Sequence, residues 1–441
     1  MKERPSLRRR DFLATSAGMA IAGYAASAQQ ADAGDTGKLA LDGGPKSVIE
    51  PRTSLPRFGD PERTQLEAMV DQNALFYWKG EQTGTAIERF KKIWPAKYVM
   101  TCSSGTAALH IAVAAAGIGP GDEVITAPIT DIGTVIGVIY QQGVPVFADL
   151  DASTYNLDVA SVEKRITPKT KAIIAVHLGG NPCDLDALRT LADERDLVLI
   201  EDCAQAWGAQ YRGKPIGSIG HIACWSLQNS KHITCGDGGV VASDDDRYGP
   251  LLQPFGDKGF DRLNPGQFER LSTNYRMSEP QAAVVAGQLT RLEGIVSTRA
   301  RLGNLLTDGI RDLPGVVPHK VHPEDRCVYW FYMLRVDADQ LTCDRGEFTK
   351  ALRAEGVPAS AGYIPVTMQR NPVFQNHAFF AGRWPIKEFG LTDMDYTTHV
   401  TPEADRILKT GVRIQIHESM NDAFITQTVE AIRKVANHFK A

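Results

Sequence analysis

Two side chains define the chemistry this sequence can support: a carboxylic acid, Asp202, and a primary amine, Lys231. Asp202 closes the apolar run Leu197–Ile200, as the second member of Glu201-Asp202. A second apolar run, Ile222–Leu227, carries Ser226 and leads to Lys231 and to the glycines Gly236, Gly238 and Gly239. Short apolar runs bounded by glycine and charge predict buried strands. Acid and amine are therefore expected at one edge of one sheet, facing one cavity. An amine that forms a Schiff base and an acid that keeps a ring nitrogen protonated are the two protein groups that pyridoxal phosphate needs. Each has a plainer use, since a strand-end Asp also caps helices and a lysine among glycines is also a solvated loop residue. The weight must come from what else converges on the pair.

A third element supplies that convergence. Lys97–Thr101 reads as a strand, and Ser103-Ser104-Gly105-Thr106 leads into an alanine-rich helix, Ala107–Ala116. Such a turn presents free backbone N–H groups at the positive end of a helix dipole, which suits a phosphate or serves as a simple cap. Strand and helix then alternate: Glu123–Ala127 strand, Val144–Leu150 strand, Val159–Arg165 helix, Lys171–His177 strand, Leu185–Arg195 helix, Leu197–Asp202 strand. This alternation predicts an α/β layer with a mostly parallel sheet. Ligands bind beyond the carboxyl ends of such strands, where Ser104, Asp131, His177 and Asp202 all fall. Asp131 is open to three uses: contacting a cofactor, meeting a substrate hydroxyl, or capping a helix that starts at Ile132.

The stretch Glu201-Asp202-Cys203-Ala204-Gln205-Ala206-Trp207-Gly208, the run Ser226 to Lys231, and Gly236-Asp237-Gly238-Gly239 resemble the DegT/DnrJ/EryC1/StrS family of pyridoxal-phosphate aminotransferases. Ser104-Gly105-Thr106-Ala107-Ala108-Leu109, Gly119-Pro120-Gly121-Asp122 and Asn274-Tyr275-Arg276-Met277-Ser278-Glu279 fit further motifs of that family. The resemblance implies a fold like that of aspartate aminotransferase, with a large domain at 39–297 and a smaller C-terminal α+β domain at 298–441. It implies that Lys231 is the Schiff-base lysine and Asp202 the partner of the ring nitrogen. Gln205 would lie against the ring, and Gly105, Thr106 and Ser226 would hold the phosphate. Asn274 would reach a partner subunit's phosphate across a homodimer. The family commonly has an aromatic residue at the position of Asp131, and an aspartate cannot stack on a ring. The implied reaction moves an amino group from glutamate or glutamine to a keto-sugar or keto-cyclitol. The opening Leu39-Ala40-Leu41-Asp42-Gly43-Gly44-Pro45 and the run ending at Lys231 resemble the cyclitol subgroup. Asp202 is expected to stay ionised beside the pyridinium, because an opposite charge within hydrogen-bond reach lowers a carboxyl pKa by roughly 1–3 units. Two other outcomes are kept: a dehydratase or lyase on a sugar, and a cofactor-binding sensor without turnover. Family dehydratases replace the lysine by histidine, whereas Lys231 is present here beside His232.

The remaining features bound the reading. With 441 residues, 43% apolar and 23% charged, the chain has room for two or three domains and a large core. A net charge of −4 without a long basic run gives no sign of nucleic-acid binding. The seven cysteines form no CxxC pair and no zinc spacing, and no disulfide framework is read. Residues 1–28 read as a signal peptide: Arg8-Arg9-Arg10-Asp11-Phe12-Leu13, a weakly apolar run, then Ala26-Ser27-Ala28. The paired arginines resemble the twin-arginine export signal and imply a periplasmic destination. Residues 29–38 read as a linker. Gly256 to Arg270 reads as a loop, Gln281 to about Leu306 as one long helix, and the aromatic close of Val321–Trp330 as core.

Overall fold

The computed structural model describes residues 37–441 apart from 267 and 269. The expected signal peptide at 1–28 and nearly all of the linker at 29–38 lie outside the described residues. Seven strands form the large sheet: β1 Tyr98–Cys102, β2 Glu123–Thr126, β3 Val144–Phe147, β4 Thr170–Val176, β5 Val198–Asp202, β6 Ile222–Ser226 and β7 Gly239–Ser243. Their spatial order is β1-β7-β6-β5-β4-β2-β3. β7 runs antiparallel to both its neighbours, and every other pairing is parallel. All strands but β7 therefore release their carboxyl ends at one edge. Every residue of β3, β5, β6 and β7 is buried. Their apolar residues run continuously instead of alternating, as strands covered on both faces require.

The helices are α1 Asp60–Asp71, α2 Glu81–Ile93, α3 Gly105–Ala115, α4 Gly133–Tyr140, α5 Val159–Arg165, α6 Leu185–Glu194, α7 Gly249–Gly256, α8 Glu279–Leu289, α9 Leu292–Ile310, α10 Arg345–Ala354, α11 Pro402–Thr410 and α12 Asp422–His438, with two further four-residue turns. α3 is apolar on nearly all sides, so it is a central helix, packed on β6, β7 and α4. The single long helix expected from Gln281 to about Leu306 is two helices. At the break the Thr290 amide donates to the Gly287 carbonyl, and the Thr290 hydroxyl donates to the same oxygen at 2.7 Å. That side chain competes with the helix ladder and tightens the turn.

A second sheet, β8 Val316–Pro318, β9 Tyr332–Val336, β10 Ala359–Ser360 and β11 Gly411–Ile414, is antiparallel in the order β8-β9-β11-β10. Two cores result. Leu292 and Val296 of α9 belong to the large one, and Leu302, Leu306 and Ile310 to the small one. The expected boundary at 297/298 therefore falls inside one helix. The domain ranges need two corrections. Leu39 and Val48, expected in the large domain, pack in the small core, where the Glu355 side chain accepts the amides of Ala40 at 2.7 Å and Ser47 at 3.0 Å. Met368, Phe374, Trp384, Tyr396 and Leu408, expected in the small domain, pack in the large core.

Behind the sheet's functional edge, one buried carboxylate fastens three segments. Glu201 accepts from the amides of Gly217 at 2.6 Å and Ile219 at 3.0 Å, and His177 Nε2 lies 3.2 Å from it. Burial works to raise this carboxyl, and the hydrogen bonds from His177 and the glycine amides overcome it, leaving it below its ordinary value. His177 is thus engaged structurally, and its Nδ1 accepts the Cys183 amide at 3.1 Å. Glu201→Ala leaves His177 and those amides without their acceptor. We expect it to destabilise the protein by about 3 kcal/mol, read as a shifted denaturant midpoint. An unshifted midpoint would show that the network carries no stability.

Candidate active site

The expected pair meets in a cavity of about 300 Å³ at the carboxyl edge of the large sheet. The turn into α3 lends Ser104, Gly105 and Thr106, and the segment after β2 lends Asp131 and Thr134. Asp202 ends β5, Ser226 ends β6, and Lys231 follows in the next turn. Trp330 and Tyr363 complete the wall from outside the parallel sheet.

Lys231 is buried, and its Nζ lies 3.8 Å from the centroid of the Trp330 ring. Burial pulls its amine down to about 8, against the charges of Asp202 and Asp131, which hold the proton on. Asp202 is buried as well. Its two oxygens accept from the Ala204 amide at 3.1 Å and the Thr134 hydroxyl at 2.9 Å. Burial raises its carboxyl above the ordinary value, opposed by those two bonds and by the charge of Lys231. The lowered pKa expected from the sequence is therefore not a property of the chain alone. The cation that would lower it is the ring nitrogen.

The phosphate-side geometry follows from the start of α3. Ser104 Oγ accepts the Ala107 amide at 3.0 Å and so caps the helix. The amides of Gly105 and Thr106 find no acceptor among the described residues. A Cβ on Gly105 would stand 2.6 Å from Cβ of Ser226, so only glycine lets the two strand ends close up. This is a backbone cradle at a positive helix end. An amine of lowered pKa, a buried acid across from it and a glycine-lined cradle are the donor set that pyridoxal phosphate requires, and the site fits that group.

The other expected residues divide. Asp131 Oδ1 accepts the Gly133 amide at 2.8 Å, capping a helix that begins one residue later than Ile132, while the same side chain lines the cavity. Gln205 is buried and is not a wall residue. It accepts the Gly179 amide at 2.8 Å and donates to the Tyr363 hydroxyl at 3.4 Å, so it touches the cavity through Tyr363. Asn274 is exposed and is not among the residues lining this cavity; it accepts the Arg276 amide at 3.3 Å. Its loop is anchored by buried Asp257, which accepts from Tyr77, Arg262 and Arg276 at 2.6, 2.6 and 2.8 Å. Sequence reasoning missed Trp330, taken for core, and Thr134. Trp330 is held at the wall because its Nε1 donates to the Ser230 carbonyl at 2.7 Å, a tie between distant segments that no local pattern announces.

With this geometry in place, comparison with known proteins is informative. The profile of the DegT/DnrJ/EryC1/StrS aminotransferase family matches residues 59–433. The chain is 36% identical to GDP-perosamine synthase of Caulobacter vibrioides over 333 residues, 72% of this chain and 85% of that one. It is 31% identical to a putative L-glutamine:3-amino-2,3-dideoxy-scyllo-inosose aminotransferase of Micromonospora echinospora, covering 92% of this chain and 99% of the other. The crystal structure of S. venezuelae DesV in complex with a ketimine intermediate superposes with a TM-score of 0.74 at 28% identity, over 88% of this chain and 99% of that one.

Two outcomes follow from the site. In cofactor-free protein, labelling of Lys231 by an amine reagent, followed by peptide mass spectrometry, should reach half its limiting rate near pH 8, since only the neutral amine reacts. Asp202→Asn removes a charge that favours the ammonium form and should move that midpoint to lower pH. A wild-type midpoint near 10.5, the ordinary lysine value, would contradict the buried amine. Gly105→Ala should weaken retention of pyridoxal phosphate at least tenfold, about 1.4 kcal/mol, by equilibrium dialysis; undiminished retention would show that the cradle does not hold it.

Proposed function

Because the chain belongs to the DegT/DnrJ/EryC1/StrS aminotransferase family, we propose that it is a pyridoxal-phosphate aminotransferase moving an amino group from glutamate or glutamine to the ketone of a sugar or cyclitol. The observation that carries this reading is the opposition of Lys231 and Asp202 across one cavity whose rim is the start of α3. Bound there, pyridoxal phosphate supplies a carbonyl carbon that captures an amine and a ring that takes up an electron pair from the substrate carbon. The chain's own residues do the rest. The Lys231 amine, neutral just above pH 8, takes a proton at Nζ from the donor's carbon and returns it on the other side of the transfer. Asp202, aligned by Thr134 and Ala204, accepts a hydrogen bond from the ring nitrogen and keeps it protonated. Gly105, Thr106 and Ser226 hold the phosphate, and Trp330 and Tyr363 keep water from the amine.

The lyase alternative loses ground on His232. That ring is buried, and its Nε2 lies 3.0 Å from the Val328 carbonyl, so it does not stand in the cavity as a substitute base. For the acceptor, a ring polyol ketone is favoured by the run from Ser226 to Lys231 and by the scyllo-inosose named for the Micromonospora relative. Asp131 lines the cavity and would meet a hydroxyl of that ring with the oxygen that does not cap α4. A homodimer is supported by the family's shared sites and by Phe76, Leu263, Phe268 and Leu271, which are exposed on and near the loop carrying Asn274. Export to the periplasm by the twin-arginine route rests on Arg9-Arg10 and the Ala26-Ser27-Ala28 site.

The test is an absorbance spectrum of the loaded protein, before and after glutamate or glutamine, then with a keto-cyclitol. The cofactor band should shift with the donor and return with the acceptor. Lys231→Ala should lower turnover by at least about 1,000-fold and remove the borohydride-reducible link. A cofactor band that no amino donor shifts would leave a sensor module instead.

A further inference from the structure

A second cavity of about 300 Å³ lies on the other side of the Lys231–His232 main chain. It is lined by Arg57 from the segment before α1, by His232, by Arg291 and Gly294 at the start of α9, and by His417 and Glu418 after β11. Three guanidinium groups gather around it. Arg299 donates from Nε to Glu418 at 2.7 Å, and Arg291 lies 3.6 Å from Glu62. Among the described residues Arg57 has no acid within hydrogen-bond reach: its Nη2 donates to the Lys231 carbonyl, and its own carbonyl accepts from Arg291. The acid that acts on it, Glu418, does so from a distance and is itself bonded to Arg299. Burial pushes the Arg57 guanidinium below its ordinary value, and the like charges of Arg299 and Arg291 add to that, against Glu418.

Two buried atoms beside the cavity lack partners: Arg57 Nε has no acceptor and His232 Nδ1 has no donor. The Val328 carbonyl draws the His232 proton to Nε2, so Nδ1 is a bare acceptor. Orphaned buried polar atoms are costly, and native proteins keep few of them without a use. Positive charge in excess and an orphaned guanidinium N–H at one cavity describe a site for an anion, and the acceptor His232 Nδ1 can bond it only through a hydroxyl that the anion carries, as a monohydrogen phosphate does.

We propose that this cavity binds a small oxyanion, a phosphate or carboxylate group, held by Arg57 and Arg291 and distinct from the cofactor cradle on α3. The anion supplies a counter-charge within hydrogen-bond reach of Arg57. Through the bond from Arg57 to the Lys231 carbonyl, its occupancy bears on the turn that carries the lysine. The proposal does not depend on the amino-transfer reading, and it can fail or hold independently of that reading.

The test uses protein loaded with pyridoxal phosphate, so that the α3 cradle is filled. Calorimetric titrations with inorganic phosphate and with glutarate are compared with chloride at equal ionic strength. Saturable binding of at least one of the two is expected, and the tighter one identifies whether the site takes a phosphate or a carboxylate. Arg57→Gln combined with Arg291→Gln should weaken that binding at least tenfold, while a retained cofactor band reports an intact Lys231 site. Gly294→Phe is the second variant. The space around Gly294 is open, so the ring fills the cavity without removing charge, and it should weaken binding equally. Binding no stronger than chloride, or binding that Gly294→Phe leaves unchanged, would overturn the proposal.

Discussion

The site is governed by the burial of two groups that water would rather keep charged. Lys231 and Asp202 are buried in one cavity, and burial displaces each toward its neutral form. For the amine, this places the basic form within reach of neutral pH. For the acid, it creates a demand for a cation close by, which a protonated ring nitrogen would meet. On the proposed function, the same desolvation would activate the nucleophile and favour the ring that it joins. Asp131, by contrast, is exposed and bonded to the start of α4.

Holding two such groups at fixed separation takes a rigid frame. β5 and β6 are neighbours in the sheet, paired from Ile200 to Asp202 against Ile222 to Cys224. Asp202 is therefore set by strand register and not by a loop. Glu201, the preceding residue, points to the opposite face of β5 and locks the 217–220 turn that feeds β6. Two adjacent acids on one strand so serve opposite purposes. One is satisfied by backbone amides and holds the frame; the other is left wanting and faces the chemistry.

Much of this was legible in the sequence, because the strands of the large sheet are continuous apolar runs with turn residues at their ends. The strand ends carrying Ser104, Asp131 and Asp202 could be placed on one rim from alternation alone. What stayed hidden depended on long-range packing. The cavity wall at Trp330 is fixed by a hydrogen bond to Ser230, and an aromatic run reads the same whether it meets a core or a ligand. The break between α8 and α9 comes from a threonine hydroxyl competing for a carbonyl, a choice that periodicity cannot register. The role of Arg57 was invisible for a similar reason, since its partner is a main-chain carbonyl far along the chain.

The small core draws on both ends of the described chain. Leu39 and Val48 pack with Leu302, Phe348, Ile414 and Ile432. During synthesis those first residues emerge long before the helix that will cover them, and they cannot settle until α12 has left the ribosome. The large sheet has no such dependence, since all its strands lie between residues 98 and 243. Closing so long a loop is slow relative to local pairing. The segment carrying Leu39 and Val48 is thus among the last to find its place, and the small domain acts as a clasp that shuts only once α12 has been made.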